Sequence, residues 1–181
     1  AASLGGASFT INQTFSISGA GTLDVSSFRL ANYTTANFTM TGTMTDTGTF
    51  YLGDAFGQPG HFNQSGGTVT VAGQIRVAHW PSETSTYNIA AGTLNSSSGL
   101  YVGWDGTGNM DVSGSADVNA TAGTYVQRSS TLTIGGNATF DTNFLSIGDS
   151  RGPGTVVQNG GTVTVSGDHV RVAHWAAGTG S

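Results

Sequence analysis

Arg76, His79 and Trp80 fall within five residues, and the same spelling, Arg-Val-Ala-His-Trp, returns at Arg171, His174 and Trp175. A guanidinium, an imidazole and an indole at such spacing suit one chemistry above others. The first two supply hydrogen bonds, and the third supplies a broad apolar face. Ligands rich in hydroxyls, with apolar C–H faces between them, need both. A second chemistry is also spelled here. Asp54 stands 25 residues before His79 and Asp149 stands 25 before His174. An Asp–His pair within hydrogen-bonding reach serves as general base and orienter.

Which chemistry applies depends on where these side chains point, and the repeat answers that. The Arg-Val-Ala-His-Trp copies are 95 residues apart, too far for one supersecondary unit, so the distance is a multiple of a shorter period. Three columns reveal it. A Gly-Thr-apolar signal starts at Gly21, Gly42, Gly67, Gly92, Gly114, Gly136 and Gly161, in steps of 21 to 25 residues. An apolar residue usually followed by Gly or Ala recurs at Leu30, Leu52, Val77, Val102, Val126, Ile147 and Val172. A third column reads Phe15, Phe38, Phe62, Tyr87, Met110, Leu132 and Val156. The strands around them alternate with period two, as in Thr68-Val69-Thr70-Val71. The pattern predicts an all-β solenoid, a parallel β-helix of about seven coils with three short strands per coil. The crossover rule for parallel strands makes it right-handed.

Aligning the coils on the second column places the rare side chains. The residue before each inward apolar one is Tyr51, Arg76, Tyr101, Tyr125, Ser146 and Arg171. Strand alternation puts this row on the outside of one sheet. Beyond the small residue that follows come Asp54, His79, Trp104, Arg128, Asp149 and His174, and one place further Trp80, Asp105 and Trp175. Elsewhere the outer rows are mostly Thr, Ser and Asn. The scarce bulky and charged groups are therefore expected on one strip.

Composition bounds the setting. The chain has 29 Gly, no Cys and no Lys, and 8% of it is charged, yet 36% is hydrophobic in regular columns. No apolar stripe of helical period occurs, and nothing approaches a bilayer-spanning run. Without Cys there are no disulfides or thiolate sites, and His79 and His174 stand four coils apart, so neither a metal nor a cofactor is expected. A net charge of −5 without Lys argues against nucleic acid, and no membrane contact is expected. The chain reads as one domain over 1–181. It stops at Ala176–Ser181 partway through a coil, which reads as a module excised from a larger secreted or surface protein.

The Gly-Gly-Thr-Val-x-Val and apolar-Gly columns resemble the autotransporter-type repeats of large bacterial surface proteins. They also resemble the β-helical carbohydrate-binding modules attached to xylan-degrading enzymes. The second resemblance implies non-catalytic binding of plant cell-wall polysaccharide outside the cell. Both resemblances rest on fold motifs, so the site is argued from this chain.

The reading is a polysaccharide-binding strip with no catalysis. Trp80 and Trp104 form neighbouring stacking platforms, flanked by Tyr51, Arg76, His79, Tyr101 and Asp105. Arg171, His174 and Trp175 form a repeated or extended contact. A xylan-like β-linked glycan is the expected partner, along with other domains of the parent chain. A structural or adhesive segment of a bacterial surface protein is the alternative, and a β-helical polysaccharide lyase or hydrolase using the Asp–His pairs is the rival of a different class.

Overall fold

Alternation decides which side of each strand is covered. In Thr68-Val69-Thr70-Val71 the two valines are fully buried and the two threonines are half-buried on the outside. Repeated around a closed coil, this pattern makes a rod filled with apolar side chains. The computed structural model describes residues 2–3, 7–54 and 57–173 and shows that rod: a parallel β-helix of about six full turns flanked by partial ones.

Its three legs repeat in order. One sheet of eight parallel strands takes a strand from each turn, in sequence from Ser8–Ile11 through Ile75–Val77 and Leu100–Val102 to Val170–Val172. We call these the third legs. The first and second legs differ from the expected separate strands. In the middle turns they fuse into single bent strands, Gly60–Val71, Thr84–Ser96 and Thr107–Ala120. The bend falls at glycine, and Gly67 shows why. Its φ of +66° is left-handed, and a Cβ there would lie 1.7 Å from the Gly42 carbonyl oxygen of the preceding coil. Only glycine lets the chain turn that sharply against its neighbour while its strand pairing runs on.

The columns stack in the expected register. Phe15, Phe38, Phe62, Tyr87, Met110, Leu132 and Val156 pair in succession. So do Leu30, Leu52, Val77, Val102, Val126, Ile147 and Val172. Phe28, Phe38, Phe50 and Phe62 form a fully buried aromatic cluster, joined by the buried Tyr87. Two members depart from the inward expectation. Phe15 is 42% exposed and Val172 is 53% exposed. Each lies at one end of the described stack, where a neighbouring coil covers one side only.

A further row carries polar groups through the interior. Gly60, Ser85, Gly108, Ser130 and Gly154 stand opposite one another on successive coils. The buried hydroxyl of Ser85 accepts the Gly60 N–H at 3.1 Å, and that of Ser130 accepts the Gly108 N–H at 2.8 Å. A Cβ at Gly60 or Gly108 would crowd the backbone N of Gly53 or Gly103, at 2.8 and 2.5 Å, so both positions need glycine.

The corner after each third leg is what aims the strip. The residue following the inward apolar one is left-handed at Ala31, Gly53, Ala78, Gly103, Gly148 and Ala173, with φ between 53° and 84°. Such a residue swings the next side chain off the sheet, so Asp54, His79 and Trp104 project along the exit edge. At the coil of Gln127 the turn comes later, and Arg128 and Ser129 take positive φ instead.

Candidate functional site: an arginine–aromatic strip

Parallel strands lie about 4.8 Å apart, close to the thickness of two stacked flat groups, so an outward row of planar side chains stacks along the rod. On the third legs that row is Arg29, Tyr51, Arg76, Tyr101, Tyr125, Ser146 and Arg171, paired in succession. Guanidiniums and rings alternate over its first four members. Arg29 Cζ lies 4.3 Å from the Tyr51 ring centroid, and Arg76 Cζ lies 5.5 Å from the same ring. Arg76 also lies 3.9 Å from the Trp104 centroid, with Arg151 4.2 Å from it. Two planar cations that close cannot share one face of an indole, so Trp104 is covered on both. The ribbon then continues through Tyr101, edge-on to Trp104 at 4.6 Å, and Tyr125, parallel to Tyr101 at 4.6 Å. Phe144 and His169 extend it.

Charge is arranged around these rings. Asp54 is almost fully buried and pairs with Arg29. His79 sits between Asp54 and Arg76, its Nε2 4.0 Å from the Asp54 carboxylate and its Nδ1 3.5 Å from Arg76 Nη1. Burial, and then the Arg76 charge, lower the His79 pKa. The ring is therefore neutral at pH 7, and its neighbours favour the tautomer with the proton on Nε2, lone pair toward Arg76. Asp54 is thus held by an arginine, and its distance from His79 exceeds a hydrogen bond. Arg76 donates twice to the Gln74 amide oxygen, at 2.9 and 2.7 Å. Asp105 is shared between Arg128 at 3.2 Å and Arg151 at 3.4 Å. Arg151 also donates to the Trp104 carbonyl at 3.2 Å.

The exit edge adds a group the sequence did not single out. The loop after Trp80 folds Glu83 inward, 2% exposed, with its carboxyl against the Cα of Gly53. Glu83 Oε1 accepts the Trp80 N–H at 3.1 Å, while Oε2 is buried with no hydrogen-bond partner. Desolvation dominates and raises its pKa to about 9, so the acid is neutral at pH 7. Beside this loop opens a cleft of about 360 Å³ whose walls include Ser82, Asp105, Arg128, Ser129 and Arg151.

Tyr51, Arg76, His79, Tyr101, Trp104 and Asp105 therefore form one connected surface. Trp80 stands at its rim with 47% of its surface exposed. The expected pair of stacking platforms comes out differently, because the faces of Trp104 are taken by Arg76 and Arg151. Arg171 is exposed on the same row beyond Ser146, while His174 and Trp175 lie outside the described residues. The strip also includes residues beyond the expected set, among them Arg29, Arg128, Arg151 and Glu83. Arg29 precedes Leu30 and was readable from the column rule. Arg151 arrives from the Asp149–Gly152 turn, and Glu83 from the Trp80 loop; neither occupies a repeating position. Comparison of the chain with protein-family models, curated proteins and solved structures finds no significant match.

Proposed function

We propose that the strip binds a polysaccharide without transforming it, most simply a xylan-like β-linked glycan of the plant cell wall. The observation that supports this is the continuous ladder from Arg29 to Tyr125, which displays guanidinium donors, phenol hydroxyls and ring edges at coil spacing. A linear glycan meets such contacts repeatedly along its length. Trp80, exposed at the rim, offers the ring face for stacking on a pyranose. The likeness of the repeats to β-helical carbohydrate-binding modules agrees with this reading. On it, the chain works outside the cell as part of a secreted or surface protein.

One observation favours a second reading. Trp104 spends both faces on the chain's own arginines, as a brace between coils does. A purely structural or adhesive segment would use the whole ladder that way. Calorimetry against a panel of soluble glycans, with Trp80→Ala as the control variant, decides between the two. Binding weakened by that substitution supports the glycan reading, and no heat with any glycan supports the structural one. New reducing ends or unsaturated products in the same mixtures would instead mark an enzyme.

A further inference from the structure

Every cation of the chain lies on the strip. Arg29, Arg76 and Arg171 occupy its outer row, and Arg128 and Arg151 its exit edge, on a protein with a net charge of −5. Three acids share the strip: Asp54 pairs with Arg29, Asp105 with Arg128 and Arg151, and Asp149 lies on the turn that carries Arg151. With Glu83 neutral, five guanidiniums meet three carboxylates there. Asp24, Asp117 and Asp141 face outward on the second legs and Asp111 on a first leg. The result is an edge with a small cationic excess on a body that carries only acids. Neutral sugars use guanidinium donors but have no need of net charge, since Asn, Ser and Thr, which the chain has in quantity, also bond their hydroxyls. An anionic ligand does, because the edge attracts it while the other faces repel it.

Part of that excess lies at the cleft. There two guanidiniums share one carboxylate, that of Asp105. Each guanidinium carries five N–H donors in a planar fork. Among the described residues, the side-chain bonds of Arg128 and Arg151 go to Asp105 and the Trp104 carbonyl alone. The remaining donors can grip a second carboxylate in the two-pronged geometry such forks favour. Glu83 on the cleft wall adds no opposing charge at neutral pH, being protonated. Ser82 and Ser129 supply exposed hydroxyls beside the arginines, as the ring of a charged sugar requires.

We infer that the cleft is a carboxylate subsite and that the glycan recognised by the strip bears uronic acids, one of which sits between Arg128 and Arg151. This rests on the glycan-binding reading above. Titration calorimetry tests it with glucuronoxylan and with the same polymer after its uronic acids have been reduced to neutral sugars. Glucuronoxylan should bind at least about tenfold more tightly at low ionic strength, and the gap should narrow as salt is raised. Arg128→Gln, at a largely exposed side chain, should bring the affinity for glucuronoxylan down toward that for the reduced polymer. Equal affinity of the unsubstituted protein for the two polymers overturns the carboxylate subsite and leaves glycan binding standing. Binding of neither overturns both.

Discussion

The guanidinium of Arg76 lies 3.9 Å from the centroid of the Trp104 ring on the next coil, while its N–H groups are turned to the neutral amide of Gln74. The cation is thus steadied by a ring and an amide oxygen. No carboxylate neutralises it among the side-chain contacts described for it. It braces two coils and keeps its charge outward, so on the glycan-binding reading the same side chain would serve both stability and recognition.

That double use separates the two tryptophans. Trp104→Ala removes a half-buried ring and two cation contacts, each worth about 0.5–2 kcal/mol, and should lower unfolding stability by about 2–4 kcal/mol. Trp80→Ala at an exposed rim should change stability by no more than about 0.5 kcal/mol. Its effect should fall on glycan affinity, reduced by at least about tenfold. Denaturant titration beside calorimetry checks both expectations. A Trp80 variant that folds and binds unchanged would move the site elsewhere.

Glu83 gives the fold a pH dependence of definite sign. Its pKa rises from 4.5 to about 9 on folding, so between those values the folded state holds a proton that the unfolded state has lost. Its contribution is therefore fully present below about pH 4.5 and falls by up to about 1.4 kcal/mol per pH unit as pH rises toward 9. Glu83→Gln keeps an acceptor for the Trp80 N–H and removes the titration. The variant should match the parent near pH 5 and exceed it near pH 8. Urea midpoints across that range would show parallel curves if Glu83 were ionised in the fold.

Ser82 carries left-handed backbone, φ 67°, on the exposed loop at the cleft. That region costs a residue with a Cβ about 1–2 kcal/mol, part of which glycine gives back through its freer unfolded chain. Ser82→Gly should therefore raise stability by up to about 1 kcal/mol, seen as a higher thermal midpoint. A lowered midpoint would mean that the Ser82 hydroxyl holds the loop.

Gly67→Ala should do the reverse. The added methyl carbon meets the Gly42 carbonyl at 1.7 Å and the backbone keeps φ +66°. A loss of more than about 2 kcal/mol is expected, checked by denaturant unfolding. A near-neutral result would mean that the bend opens without breaking the stack.

The stack was legible because it is built from repetition. The Phe38–Phe62–Tyr87 column and the Leu52–Val77–Val102 column each announce themselves every turn, and period-two alternation fixes their side. The outer row of Tyr51, Arg76 and Tyr101 followed from the same rule by a shift of one residue. Repetition is also where legibility ended. Arg151 and Glu83 come from loops that occur once, and no column predicts that one covers an indole and the other buries a carboxyl. The fusion of first and second legs was hidden for a related reason. A Gly-Thr signal marks a corner, but whether pairing survives the corner depends on how closely the previous coil's carbonyl approaches.

The alternation of Gly60, Ser85, Gly108 and Ser130 has a consequence for assembly. Coils with interchangeable apolar columns risk a skipped turn, in which one coil bulges out and its neighbours close over the gap. Here such an error is recognisable to the molecule. Omitting the coil of Ser85 sets Gly60 against Gly108 and deprives a buried N–H of its hydroxyl, and omitting the coil of Tyr51 sets Arg29 against Arg76 with no ring between the charges. The inner and outer rows thus check the coils of Ser85 and Tyr51 against omission, so a nearly uniform solenoid keeps count of those turns.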